Sequence, residues 1–167
     1  DWSIVQVMTK LRAAFPGANR QKSGLTAVHM RRVLAALKEV CTQDDACMFA
    51  AMFTLAWFGL LRAGEFTVPR MNGYDITRHP AVANVRFFHG DTEIHVGDAR
   101  SPTHMVFVVK QSKTDKERLT QDVLIGRTHD ASLCAVCAMW AYMNAHVRMP
   151  QQPLFERARR AVTYGEM

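Results

Sequence analysis

Arg62 and Glu65 follow a long apolar run at a spacing of three. Residues three apart share one face of a helical turn, so the pair can act on one ligand or on each other. An arginine delivered straight off a buried helix is held stiffly, which suits a bidentate grip on a phosphate. The same two residues also read as an ordinary capping ion pair. A second group of cations lies in the stretch Lys110-Gln-Ser-Lys113-Thr-Asp115-Lys116-Glu-Arg118. Such a lysine-rich hairpin tip can close on a polyanion or simply stay solvated. Arg20 and Lys22 sit in a basic linker, and Arg157, Arg159 and Arg160 form a basic turn near the end. These could touch a phosphate backbone. His29 and Arg32 make up the one H-x-x-R spacing and read as an exposed helix face. Cys134 and Cys137 form C-x-x-C, but no second pair completes a zinc site. They read as core packing on an apolar helix face, and neither metal nor cofactor is expected.

The elements that must position these residues can be read from periodicity. Ala46 to Leu61 is apolar throughout except for Thr54, which predicts a helix buried on every side. It falls short of the ~20 residues of a membrane span, and Asp44, Asp45, Arg62 and Glu65 flank it, so no membrane partner is expected. Gly59 is expected to loosen its end, and a short turn follows from Ala63 to Thr67. Thr26 predicts an N-cap for a helix over 27–40 with Val28, Val33, Leu34 and Leu37 on its apolar face. Trp2 to Ala14 carries helical spacing, and Pro16 to Gly24 is a linker. From Val82 the period changes. Short β-type runs at 85–87, 94–96, 105–109 and 119–125 predict a small antiparallel sheet whose longest turn is the lysine hairpin. Asp130 or Ser132 is expected to cap a helix over about 132–147, and Thr163 looks like a further N-cap. The fold class expected is α+β, mainly α.

The 167 residues carry 21 Lys+Arg against 15 Asp+Glu, a formal charge of +6, with a pI near 9.5. That balance favours polyanionic partners, nucleic acid first. The apolar share, 49%, is enough for a real core. No charged-then-apolar leader is visible and the four cysteines do not look like a disulfide framework, so an intracellular location is expected.

In order, the chain reads as a linker with R-x-K, a Thr-capped helix, an apolar helix, and F-G-L-L-R-A-G-E. A small sheet, a K-Q-S-K-T-D hairpin, an L-C-x-V-C-A helix and P-L-F complete it. This order resembles the first part of the catalytic domain of the tyrosine recombinases, the phage integrase family. The S-K-T-D hairpin and the L-C-x-V helix start are most similar to the eukaryotic Crypton-like and DIRS-like transposon branch. The resemblance covers about 25–167 as a partial catalytic domain, with 1–24 similar to the end of the preceding DNA-clamping helical domain and its linker.

The resemblance implies a helical catalytic core with a small antiparallel sheet, DNA as partner, a homo-oligomer on DNA in the full-length protein, and a nuclear location if the source is eukaryotic. It implies three roles. Arg62 grips the scissile phosphate, Glu65 supports the site, and Lys113 protonates the leaving 5′ oxygen. The physics suits those jobs, because a preformed guanidinium stabilises charge building on the non-bridging oxygens and a hairpin lysine can act as an acid. Lys110, Lys116, Arg20, Lys22 and Arg157 to Arg160 are the accompanying DNA contacts. The family's later H-x-x-R and nucleophilic tyrosine have no match. His29-x-x-Arg32 precedes Arg62, and Tyr164 stands before the place where H-x-x-R belongs. The chain is therefore expected to be a truncated or decayed recombinase domain that binds DNA without chemistry. The alternative is a domesticated DNA- or protein-interaction module. A third class is an unrelated helical protein in which Arg62 and Glu65 are structural.

Overall fold

The computed structural model describes residues 24–70, 72–110 and 120–166. Helix α1 spans Ala27–Val40. Thr26 caps it: its hydroxyl accepts from the His29 amide at 3.3 Å, and the Thr26 amide donates to His29 Nδ1 at 3.3 Å. His29, the histidine of the H-x-x-R spacing, thus works as a helix cap. Helix α2 spans Gln43–Gly59, so it begins three residues before the apolar run and stops two short of its end at Leu61; Thr42 caps it by accepting from the Asp45 amide at 3.2 Å. Ala46, Met48, Phe49, Ala51, Met52, Thr54 and Leu55 are buried along it. The one polar side chain in the run, Thr54, satisfies itself by donating to the Ala50 carbonyl at 2.6 Å. That intrahelical bond makes its burial tolerable.

The switch of period near Val82 is a switch of structure. A 3-10 turn over Val82–Asn84 leads into β1 (Val85–His89), β2 (Thr92–Ile94), β3 (His104–Val109) and β4 (Gln121–Gly126). They form one antiparallel sheet in the order β2-β1-β3-β4. Alternation sends Val85, Phe87, Ile94, Met105, Phe107, Val109 and Ile125 to the buried face. That face joins the core of α2 and of α4 (Ala135–Ala145), with Phe87 edge-on to Trp140 at 4.9 Å.

The expected helix over 132–147 is shorter, and its cap is different. Asp130 caps only a 3-10 turn over Ala131–Leu133, accepting from the Ser132 amide at 3.0 Å. The chain extends at Cys134, and the Cys134 sulfur accepts from the Cys137 amide at 3.4 Å to cap α4. Beyond α4, β5 (Glu156–Arg157) and β6 (Arg160–Ala161) make a two-stranded hairpin where a plain basic turn was expected. Thr163 precedes only a 3-10 turn over Tyr164–Glu166, and its side chain does not accept from the turn as a cap would; its amide and hydroxyl both donate to Glu166 Oε2, at 2.8 and 2.9 Å. The fold is a mixed α+β arrangement of four helices, the third being the one-turn helix α3 (Ala63–Phe66), and a small antiparallel sheet among the described residues. No described helix is long and apolar enough to cross a membrane.

Candidate nucleic-acid interface

The turn that presents Arg62 is made by the two residues before it. Helix α2 stops at Gly59, and Leu60 takes the left-handed conformation at φ 51 with 89% of its surface exposed. The Leu61 side chain folds back so closely that a Cβ on Gly59 would lie 3.0 Å from its Cγ. A side chain at 59 would make the Leu61 side chain give by a few tenths of an ångström, while the left-handed strain falls on Leu60. The chain reverses, and Arg62 becomes the N-cap residue of a one-turn helix, α3 (Ala63–Phe66).

Glu65 holds that turn. Its Oε2 accepts from the Arg62 backbone amide at 2.9 Å, and its Oε1 lies 3.7 Å from the Arg62 guanidinium. The Glu65 side chain is 11% exposed and that of Arg62 58%. The carboxylate is thus a backbone clamp, and the arginine is the group that meets solvent. Of the two sequence alternatives, the capping pair is the one these contacts form. Phe66 anchors α3 by meeting Phe155 edge-on at 6.3 Å, and the Val68 amide donates to the Val162 carbonyl at 3.1 Å.

Those anchors carry Tyr164 to the same turn, where a Cβ on Gly64 would lie 3.2 Å from its hydroxyl. A cavity of about 370 Å³ opens here, lined by Gly64, Pro69, Gly73, Asp75, Arg78, His79 and Tyr164. Its far wall is a tight loop. The Asp75 amide donates to His79 Nδ1 at 2.9 Å, the His79 amide donates to the Asp75 carbonyl at 2.8 Å, and Asp75 Oδ1 accepts from the Thr77 amide and hydroxyl at 2.9 and 2.7 Å. The Thr77 bonds hold the Asp75 carboxyl below its usual range. Burial pushes the His79 imidazole down, which keeps it a neutral acceptor at neutral pH. Lys110, at the root of the hairpin after β3, donates to the Ile76 carbonyl of this loop. Burial lowers the Lys110 ammonium below its ordinary value, against the pull of Asp75.

The remaining candidates divide. Arg20, Lys22, Lys113 and Lys116 lie outside the described residues. Arg157 is engaged by the Asp45 carboxylate, its Nε and Nη2 donating at 3.1 and 2.9 Å, and so ties β5 to the start of α2. Arg159 and Arg160 are exposed at the tip and far strand of the same hairpin. Since α2 is roughly 25 Å long, Arg157 belongs to the end of that helix opposite Arg62. Lys110 meets the Asp75–His79 loop, which lines one cavity with Gly64, whereas Arg157 is bound at the start of α2. Among the described residues no group of three or more His, Cys, Asp or Glu side chains is placed to hold a metal ion.

Sequence reasoning missed the Asp75–His79 loop and the nearness of Tyr164 to α3. A D-x-x-x-H spacing in a turn-rich stretch was the available signal for the first. Nothing local could show the second, which is 100 residues away from Gly64 in sequence. No family model matches the chain, and neither does a curated protein or a solved structure.

Proposed function

We propose that this chain is a DNA-binding part of a tyrosine-recombinase-type catalytic domain, with Arg62 as its phosphate-gripping residue and Glu65 as the group that orients it. The observation carrying the reading is the division of labour in that pair. The carboxylate is sequestered on the Arg62 backbone amide, while the guanidinium is turned outward from a rigid reversal at the end of a buried helix. A preorganised guanidinium needs little reordering to bind a phosphate bidentately. A second phosphate contact is assigned to Lys113 by the sequence resemblance alone, since Lys113 lies outside the described residues. The net charge of +6 gives the sequence-independent attraction. Binding without strand cleavage is the expected behaviour of the 167-residue chain.

The test is duplex binding by fluorescence anisotropy at low and rising salt, for the parent chain and for Arg62→Ala. Affinity should fall with Arg62→Ala and fall steeply with salt in the parent. Equal binding by the two proteins, or no binding at low salt, removes the reading. A nicked duplex that traps 3′-phosphotyrosine products should yield no adduct. An adduct lost in Tyr164→Phe would instead assign the nucleophile to the tyrosine beside Gly64.

A further inference from the structure

The cysteine pair at the start of α4 has a geometry that core packing alone does not require. Cys134 is the N-cap residue, 1% exposed, and its sulfur accepts from two backbone amides, Cys137 and Thr128, each at 3.4 Å. Those two bonds aim the sulfur at the N-terminal end of an 11-residue helix, where the amide groups and the helix dipole favour an anion. The partner thiol is carried by the residue whose own backbone amide lies 3.4 Å from the Cys134 sulfur, within the first turn of the helix. Cys137 also lines a groove of about 430 Å³ between α1, α2 and α4, so it is open to solvent where Cys134 is not. Neither cysteine is in a disulfide.

We propose that Cys134 and Cys137 form a thiol–disulfide exchange site, in which a small disulfide entering the groove oxidises the pair to an intrachain disulfide. The Cys134 thiol first loses its proton to solvent, and the resulting thiolate takes the Cys137 thiol proton. The Cys137 thiolate attacks one sulfur of the incoming disulfide, forming a mixed disulfide and releasing one thiolate. The Cys134 sulfur, its proton passing to solvent, then attacks Cys137 Sγ and expels the second thiolate. Two cysteine thiols lose two electrons and two protons, and the incoming disulfide is reduced to two thiols.

The titration behaviour agrees with these roles. Burial pushes the Cys134 thiol up, but the bonds from Cys137 and Thr128 outweigh it and the net shift is downward. Burial and the neighbouring Cys134 push Cys137 up, with Arg127 beside it acting the other way. Helix-end stabilisation of the reduced sulfur makes the resulting disulfide easy to reduce.

Trypsin separates the relevant cysteines, because Thr128–Arg148 holds Cys134 and Cys137 while Glu39–Arg62 holds Cys41 and Cys47. The native chain is equilibrated in glutathione buffers of falling reduced-to-oxidised ratio, acid-quenched, alkylated and mapped by mass spectrometry. The expected result is an unalkylated 128–148 peptide lighter by two hydrogens, restored by reduced glutathione, with Cys41 and Cys47 still alkylated. Cys134→Ser should accumulate a glutathione adduct on Cys137, and Cys137→Ser should leave Cys134 unmodified. Full alkylation of 128–148 in oxidised glutathione overturns the proposal. So does oxidation of the native chain no faster than that of the urea-unfolded chain, because the fold would then contribute nothing.

Discussion

Removing the Arg62 side chain is expected to cost less than about 1 kcal/mol of stability, because its guanidinium is largely exposed and the Glu65 carboxylate keeps its backbone amide partner. Glu65→Ala is the opposite case. It deprives the Arg62 amide of its acceptor at a turn that redirects the chain, and urea denaturation should show a loss of about 1–3 kcal/mol. If Arg62→Ala proves the more damaging of the two, the assignment of clamp and ligand group is reversed. Arg157→Ala should also destabilise by about 1–3 kcal/mol, since it leaves a mostly buried Asp45 carboxylate without its bidentate partner. Its effect on DNA affinity should be smaller than that of Arg62→Ala, given where the hairpin stands.

At the scale of elements, two reversals carry left-handed residues that are not glycine. Leu60 stands at φ 51, and Ala158 and Arg159 stand at φ 50 and 61 between β5 and β6. A two-residue hairpin with both central φ values positive prefers Asn-Gly. Leu60→Gly, and Ala158→Asn with Arg159→Gly, should each raise the unfolding free energy by about 1 kcal/mol. An unchanged or lowered urea midpoint would show that these turns relax without strain. The Asp75–His79 loop makes a pH prediction. The folded imidazole titrates below its ordinary 6.5, so between those two values the unfolded chain binds more protons. Stability from this group is full above about pH 6.5 and is lost as pH falls toward the folded value. Urea midpoints between about pH 5 and 8 should therefore drop on the acid side, and the drop should be shallower in His79→Gln. Identical slopes in the two proteins would mean that His79 is not the group responsible.

For the whole molecule, Arg62 follows the C-terminal end of α2 and Arg157 is bound at its start. A duplex lying on the first end should make few phosphate contacts with this chain. The slope of log affinity against log salt should then be about 0.9 for each contact, and Arg62→Ala should reduce it by about one contact. A parent slope that Arg62→Ala leaves unchanged would place the DNA elsewhere.

Element types were legible because they depend on local period. The apolar run 46–61 marked a buried helix, though α2 ends at Gly59 and Leu60 is exposed, and the alternation through Met105–Val109 marked a strand. The Thr26 cap was legible for the same reason, since a cap is made within four residues. Arg62 and Glu65 were legible as a pair from spacing, but the division between them was not. Which member is sequestered depends on Phe66 meeting Phe155 and on Val68 bonding Val162, contacts between segments about 90 residues apart. The same contacts bring Tyr164 to Gly64. Cys134 as the true cap of α4 was hidden by two better cap residues, Asp130 and Ser132, just upstream. Sequence alone ranks caps by propensity, whereas the docking of α4 on α2 and the sheet decided where the helix could begin, and so which side chain faced its free amides.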